Sequence, residues 1–318
     1  METLYYIVIQ VDMSQIIKSI VSRDGSINHI LNYGKSLVEC RYVRRSPKYI
    51  SVYVSSHNGC KMKCKFCWLT QQNQNQFKHV DMDLFSYQVK TVLDSVPEQD
   101  NTKDKSKIRC NINFMSRGEP LANKNLILDY DMVLRGITNE VENHGYGETK
   151  MNISTIMPYT IKNKSLYDVF KDNPVNLYYS MYSIDDSFKS KWMPNAIHYR
   201  DALDKLKELQ NLSSAQPTIT IHGAFIKGEN DNLEDIERMV DEIDKTNFKK
   251  IKFNIVKFNP HQNLDYEEAD EETINKIYEK FKQITKFDSA NYNTTRQVPR
   301  IGYDVFASCG MFIQDHDI

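Results

Sequence analysis

Apolar residues between positions 49 and 284 follow two alternating patterns. Short runs rich in valine, isoleucine and tyrosine indicate strands, and stretches with apolar residues at helical spacing separate them. The predicted strands are 49–55, 108–115, 151–156, 176–183, 218–226 and 250–258. The predicted helices are 80–96, a segment near Phe188, 198–209, 233–243 and 271–284.

The alternation of strands and helices predicts the fold class. Consecutive parallel β-α units with right-handed crossovers curl round on themselves, so we expect an α/β fold with a partial (βα)6 barrel. Reactive residues of such a barrel gather at the carboxyl ends of its strands. The segments expected there are the loop 60–67, residues 118–120, Ser154, Ser180 and Asn259.

The first 48 residues lack this alternation. Residues 4–11 alternate only weakly, and Asp24-Gly25 is typical of a hairpin turn between two β-prone stretches. We therefore predict a β-rich N-terminal extension at 1–48, a core domain at 49–290 and a C-terminal segment at 291–318. The polar segment 71–76 is predicted to form a flexible loop.

Composition narrows the class of protein. The 318 residues are 40% hydrophobic and 11% aromatic, which is enough for a substantial core. No apolar run is long enough for a membrane span, and no cleavage-site pattern follows Met1, so we expect a reducing, cytoplasmic location. The net charge of −1 argues against a generally basic surface. Two basic stretches, 41–48 and 249–257, give weak support for RNA contact.

Three of the six cysteines, Cys60, Cys64 and Cys67, lie in one short window. Three thiolates on one loop can hold three irons of a 4Fe-4S cluster and leave the fourth iron open, whereas such clusters normally take four cysteines. A zinc site with His57 as fourth ligand is the alternative, although no second cysteine pair supports it. A disulfide is disfavoured in a reducing compartment.

The spacing C-x3-C-x2-C, with Phe66 before the last cysteine, resembles the signature of the radical S-adenosylmethionine (SAM) superfamily. In that superfamily SAM binds the open iron of the 4Fe-4S cluster and is reductively cleaved to a 5′-deoxyadenosyl radical. The resemblance therefore implies two cofactors, the cluster and S-adenosyl-L-methionine. It also implies a reductant such as flavodoxin or ferredoxin.

Further motifs resemble the RlmN/Cfr family, radical SAM methyltransferases that modify an adenine of large-subunit ribosomal RNA. The similarity runs from about Asp24 to Met311. The matching segments are 54–60 (VSSHNGC), 118–123 (GEPLAN), 153–155 (IST), 180–182 (SMY), 193–195 (MPN), 258–260 (FNP) and 304–310 (DVFASCG). The resemblance implies an RNA substrate, rRNA or tRNA, and a monomeric enzyme.

The resemblance also implies residue roles. Cys60, Cys64 and Cys67 are expected to bind the cluster, and Cys309 is expected to carry the methyl group on its sulfur. Glu39 is expected to accept a proton from the substrate, and Glu119 to bind the amino group of SAM. The rest of the expected SAM pocket is Gly118, Ser154, Ser180, Met181, Tyr182 and Asn259.

The chain departs from the family at several positions. Tyr53 stands where the family has a second catalytic cysteine, which resolves the covalent intermediate. Either Cys40 or Cys110 replaces that cysteine, or the enzyme has a different substrate or reaction, or the protein is a non-catalytic RNA-binding relative. Arg117 is expected to pair with phosphate or to face solvent. Of the family's N-terminal region only the β-hairpin portion, from about Asp24, is matched.

Overall fold

The computed structural model describes residues 16–101, 104–284 and 295–313, and the predicted alternation at 4–11 lies outside them. The described strands are β1 Ile16–Val21, β2 Ile27–Asn32, β3 Leu37–Ser46, β4 Tyr49–Tyr53, β5 Arg109–Phe114, β6 Glu148–Thr155, β7 Asn176–Ser180, β8 Ile219–Gly223, β9 Ile251–Ile255 and β10 Thr295–Gln297. The described helices are α1 Trp68–Gln71, α2 Met82–Asp94, α3 Lys124–Leu128, α4 Tyr130–Asn143, α5 Leu166–Phe170, α6 Asp186–Trp192, α7 Tyr199–Leu212, α8 Leu233–Thr246 and α9 Glu271–Ile284.

These strands form one sheet in which spatial order follows chain order. Strands β1 to β4 pair antiparallel, and β4 to β10 pair parallel. At least one helix separates each parallel strand from the next, which gives six β-α units followed by β10. The predicted α/β fold with a partial (βα)6 barrel is therefore confirmed.

The N-terminal strands are part of the same sheet. The turn at Asp24-Gly25 joins β1 to β2 as predicted, and Gly25 has a positive φ of 81° that glycine adopts without strain. Strand β3 then pairs with β4 across a tight turn at Pro47 and Lys48. Pairing thus crosses the predicted boundary at residue 48, and the three domain bounds stay a prediction.

The helices cover one face of the sheet. On α8 the apolar residues predicted at helical spacing, among them Ile236, Met239 and Ile243, are buried. Strand β9 turns Ile251, Phe253 and Ile255 to the same core, since alternate residues of a strand share a face. The intervening residues face the inside of the barrel. No helix in the described ranges is long and apolar enough to cross a membrane.

Candidate active site

A cavity of about 280 Å³ opens at the carboxyl ends of the parallel strands and extends down the inside of the barrel. Nine of the twelve predicted site residues line it. They are Cys60, Cys64, Cys67, Gly118, Glu119, Ser154, Ser180, Tyr182 and Cys309. Of the other three, Asn259 contacts the segment that carries Cys309, whereas Glu39 and Met181 are buried away from this cavity. The roles expected of the twelve residues stay predictions.

The cysteine loop follows β4 and is fixed by backbone contacts. The side-chain amide of Asn195 donates to the carbonyls of Lys61 (3.1 Å) and Met62 (3.2 Å). The amide of Lys65 donates to Trp192 O at 2.9 Å, and Lys63 adopts a left-handed φ of 57° that turns the chain back. These contacts give Asn195, in the MPN segment, a structural role as the support of the loop.

The surroundings of the three thiols favour the protonated form until a metal binds. Burial raises the pKa of Cys60 and Cys64 well above the ordinary value. Burial also raises the pKa of Cys67 to about 11, although the N–H groups of Leu69 and Thr70 partly offset it. Because metals bind the thiolate, a cation must displace these protons when it enters.

The alternative zinc site receives no support. His57 is buried, and its two ring nitrogens already contact Ser56 Oγ and His79 Nδ1, both at 3.0 Å. Within residues 16–101, 104–284 and 295–313, no three Cys, His or carboxylate side chains are grouped as ligands of a single ion. A cubane cluster binds each thiolate through a different iron, so it does not require such a tight group.

Gly118 and Glu119 follow β5 and present a carboxylate to the cavity. At Gly118 φ is +94°, and a Cβ there would lie 2.6 Å from both His57 Nδ1 and Ser56 Oγ, so only glycine fits. The Glu119 carboxylate accepts hydrogen bonds from Leu121 N (3.0 Å) and Ile156 N (3.1 Å). Burial outweighs these bonds and raises the pKa of Glu119 to about 7.

The segment that carries Cys309 crosses the mouth of the cavity. Asn259 donates to Cys309 O (2.8 Å) and Ser308 Oγ (3.2 Å), and Trp68 N donates to Gly310 O (2.9 Å). The last bond joins the residue after Cys67 to the residue after Cys309. Cys309 itself stays exposed because it faces the open cavity, while the surrounding protein raises the pKa of its thiol.

Glu39 lies beneath this segment in a buried ion-pair network. Its carboxylate accepts from Arg117 Nε (2.7 Å), from Arg41 Nη2 (3.4 Å) and from the backbone N–H of Ile313 (3.2 Å). Burial alone would raise the pKa of Glu39, but Arg117 and Arg41 hold the pKa below its usual range. This geometry places Glu39 against the C-terminal segment.

The expectation that Arg117 pairs with phosphate or faces solvent is wrong. Its side chain is buried, and its guanidinium nitrogens already donate to protein groups. The residue is 1% exposed. Besides Glu39, its guanidinium donates to Ile313 O (2.6 Å), to Asn58 O (3.2 Å) and to Gln74 Oε1. Since Gln74 is buried and also donates to Ile313 O, the segment 71–76 is tied to the C-terminal segment and is not the predicted flexible loop.

Neither alternative resolving cysteine reaches the cavity. Cys40 and Cys110 are fully buried in the core between the sheet and its helices. Tyr53, in contrast, lines the cavity. The expectation that Cys40 or Cys110 replaces the missing cysteine is therefore wrong, since an attack on the carrier sulfur requires both sulfurs in one cavity.

The inside of the barrel contains polar residues that the sequence analysis missed. Four strands place asparagine on the inner face, and the side chains of Asn113, Asn152 and Asn176 are joined by hydrogen bonds of 2.9 and 3.2 Å. Further inner-face residues line the cavity, namely Arg45, Tyr49, Ser51, Tyr178, His222, Asn254 and Arg296. Their signal in the sequence is polarity at every second position of strands whose other positions are apolar.

The model of one protein family, described as the radical SAM superfamily, matches residues 54–243. That match covers more than half of the chain and includes the cysteine loop and Glu119. The chain belongs to the radical SAM superfamily.

Curated relatives and solved structures are similar over nearly the whole chain. The dual-specificity RNA methyltransferase RlmN of Francisella tularensis subsp. tularensis (strain FSC 198) is 26% identical over 96% of this chain and 77% of its own length. RlmN of subsp. novicida (strain U112) is 25% identical with the same coverage. A radical SAM methyltransferase from Sphaerobacter thermophilus superposes with a TM-score of 0.70 over 94% of this chain and 80% of its own, at 18% identity, and so shares the fold.

Membership of the superfamily implies SAM and an iron–sulfur cluster, and the cavity fits both. Its three loop thiols match the donor set of a cluster with one open iron. Two buried polar atoms near the cavity, Asn259 Oδ1 and Ser116 Oγ, have no hydrogen-bond partner among the described residues. Buried polar atoms are normally paired, so these two atoms are available to a bound cofactor.

Proposed function

We propose that this protein is a radical SAM methyltransferase that acts on an adenine of RNA and uses Cys309 as its methyl carrier. The observation that carries the proposal is the position of Cys309 on the same cavity as Cys60, Cys64 and Cys67. The similarity to RlmN over most of the chain supports RNA as the substrate class.

The residues of this chain have distinct tasks in that reaction. Bound cluster and SAM would supply the 5′-deoxyadenosyl radical, with Cys60, Cys64 and Cys67 holding the cluster. The Glu119 carboxylate would pair with the ammonium group of SAM through a charge-assisted hydrogen bond. The Cys309 thiol would lose its proton and take the methyl group of one SAM, which leaves S-adenosylhomocysteine. Asn259, Arg41 and Arg117 would hold the carrier segment in place.

Mass spectrometry of Cys309 tests the carrier step. We expect Cys309 to carry an S-methyl group in protein isolated with its cluster, because its thiol is accessible from the cavity. The variant Cys309→Ser should lose this group and still cleave SAM reductively. The matched variant Cys110→Ser, which changes a fully buried core thiol, should keep the methyl group on Cys309. Unmodified Cys309 in active protein would contradict the proposal.

The affinity for SAM should depend on pH through Glu119. The pKa of this carboxyl is raised to about 7, so it is mostly protonated at pH 6 and mostly ionised at pH 8. Only the ionised form pairs with an ammonium group. We therefore expect SAM binding to weaken by about tenfold between pH 8 and pH 6, as measured by calorimetry on the cluster-loaded protein. Glu119→Gln should bind weakly with no change over this range.

A second candidate is a radical SAM enzyme on the same scaffold with another substrate or reaction. It is favoured by Tyr53 together with the burial of Cys40 and Cys110, since the described cavity contains no thiol beyond the cluster cysteines and Cys309. Mass spectrometry of RNA digests after reaction separates the two candidates, because a methyladenine product rules this one out. A non-catalytic RNA-binding relative would instead bind RNA unchanged after replacement of Cys64 and consume no SAM.

A further inference from the structure

Positively charged side chains occupy the amino-terminal end of the barrel interior, opposite the cysteine loop. Five cationic residues occupy inner-face positions there. Two of them line the cavity themselves. Each of the other three lies two or four residues before a cavity-lining residue of its own strand, and therefore on the same face. The five residues are Arg45, Arg109, Lys150, Lys252 and Arg296. Glu119 is the sole carboxylate among the described lining residues, and it lies at the other end, beside the cysteines.

Two of these cations lack an acidic partner. Arg45 forms no ion pair among the described residues, and its buried Nε has no hydrogen-bond partner. Arg296 donates from Nε to Asn254 Oδ1 (2.9 Å), and its terminal nitrogens contact no carboxylate of the described residues. Both guanidinium groups line the cavity. Exposed Arg135, Arg200 and Arg238, in contrast, each pair with a carboxylate.

The neighbours of these guanidinium groups do not neutralise them. Burial lowers the pKa of Lys252, and Lys150, Arg296 and Arg109 lower it further by repulsion. The pKa of His222 is lowered to about 3, mainly by burial and further by repulsion from Arg296 and Arg45. Its imidazole is therefore neutral. Charges of one sign in a partly buried space destabilise the folded state unless an anion joins them.

We propose that Arg45 and Arg296 bind a phosphate group of the substrate, and that this substrate is a nucleotide. A guanidinium fork matches the oxygens of a phosphate, and an anion here would offset the charge of these two guanidinium groups. Tyr53 and Tyr178 also line the cavity, and aromatic side chains stack on nucleic-acid bases. The role of the nucleotide as the substrate rests on the proposed function, whereas the phosphate site itself does not.

A binding experiment on the full chain with its cluster tests the phosphate site without turnover. The probes are adenosine 5′-monophosphate, adenosine, inorganic phosphate and a short single-stranded RNA, with affinity measured by calorimetry and stability by melting temperature. We expect the monophosphate to bind at least about tenfold more tightly than adenosine, since charged hydrogen bonds add to the base contacts. We also expect inorganic phosphate to raise the melting temperature.

Variants that remove the charge of Arg45 or Arg296 test whether these two residues cause the tighter binding of the monophosphate. Arg45→Met and Arg296→Met should each weaken monophosphate binding by about tenfold and leave adenosine binding unchanged. Arg45→Lys, which keeps the charge, should retain part of the affinity. Arg200→Met, an exposed residue on α7, is the matched control and should bind like the wild type. Without ligand, the two cavity variants should melt no lower than the wild type, because each removes an unpaired charge.

Several outcomes would overturn the proposal. They are monophosphate binding that survives both substitutions, an equal loss of SAM affinity in the two variants, and no effect of phosphate on the melting temperature. Arginine-dependent binding of the monophosphate indicates a free nucleotide, and arginine-dependent binding of the oligonucleotide alone indicates a nucleotide within RNA. If Cys309 is unmethylated while the arginine dependence holds, the carrier proposal fails and the phosphate site stands.

Discussion

Replacing Cys64 with alanine is expected to reduce reductive SAM cleavage to background. Cys64 lies between Cys60 and Cys67 on a loop that Asn195 and Trp192 hold against the cavity. With one thiol gone, two cysteine ligands remain on this loop, and the four-iron cluster loses one of its three anchors there. Iron content should fall with the activity, measured as iron per chain and as 5′-deoxyadenosine formed under reducing, anaerobic conditions.

The control for this prediction is Cys110→Ala, which removes another fully buried thiol. Cys110 packs in the core behind β5 and does not line the cavity. Its loss should cost about 1 kcal/mol of stability and leave iron content and SAM cleavage near the wild-type level. Full SAM cleavage by Cys64→Ala would mean that the three cysteines do not hold the cluster.

The fold could be predicted because most strands and the longer helices other than α4 are determined by their own sequence. Apolar residues repeat every 2 residues in a strand and every 3.6 residues in a helix, because one face of the element packs against the core. This repeat can be recognised within each segment. Helices α1, α3, α4 and α5 and strand β10 were not predicted. Two of these elements, α4 and β10, show the limit of local information. Helix α4 buries only a narrow stripe at Tyr130, Val133, Ile137 and Val141, and most of its other residues are polar. Strand β10 is only Thr295–Gln297, and its pairing with β9 creates it.

The basic stretch 41–48 shows why the arrangement of charges at the site could not be predicted from neighbouring residues in the sequence alone. In sequence it is one cluster of charge, but the pleat of β3 divides it between two faces. Arg44 points outward and pairs with Asp100 at 3.5 Å. Arg41 and Arg45 point inward, where one joins Glu39 and the other faces the cavity. The cluster of basic residues in the sequence suggested an RNA-binding surface. Because alternate residues of a strand face opposite sides, these side chains do not form a single surface.

The environment of Glu39 could not be predicted because two of its partners are distant in the chain. Arg117 is 78 residues away and Ile313 is 274 residues away. The resemblance implied a carboxylate that takes a proton from substrate. The structure surrounds that carboxylate with two arginine side chains and a backbone N–H, so the expected effect of Glu39 on stability is large.

Glu39→Gln is expected to destabilise the folded protein by about 3–5 kcal/mol, because it leaves Arg117 and Arg41 buried without their counter-charge. Both arginines are nearly inaccessible to solvent, at 1% and 4% exposure. Denaturant unfolding of the wild type and the variant measures the difference. Glu242→Gln is the matched control, since Glu242 pairs with exposed Arg200, and such a surface pair contributes about 0–1 kcal/mol.

The pH dependence of stability gives an independent measure of the same network. Because the folded-state pKa of Glu39 lies below the usual value of 4.5, its contribution is complete above that pH. It is lost as the pH falls through the folded-state pKa, when the carboxyl binds a proton. The wild type should therefore lose more stability than Glu39→Gln over the acidic range.

The same variant separates a positioning role from a proton-accepting role. Arg117 and Arg41 donate to the backbone carbonyls of Ile313, Ala307 and Met311, so the network holds the segment on both sides of Cys309. Loss of the Glu39 charge should therefore reduce methylation of Cys309 itself, a step that requires no base at the substrate. If Glu39→Gln is as stable as the wild type, methylates Cys309 fully and fails only in substrate turnover, Glu39 acts as the base and the positioning role is wrong.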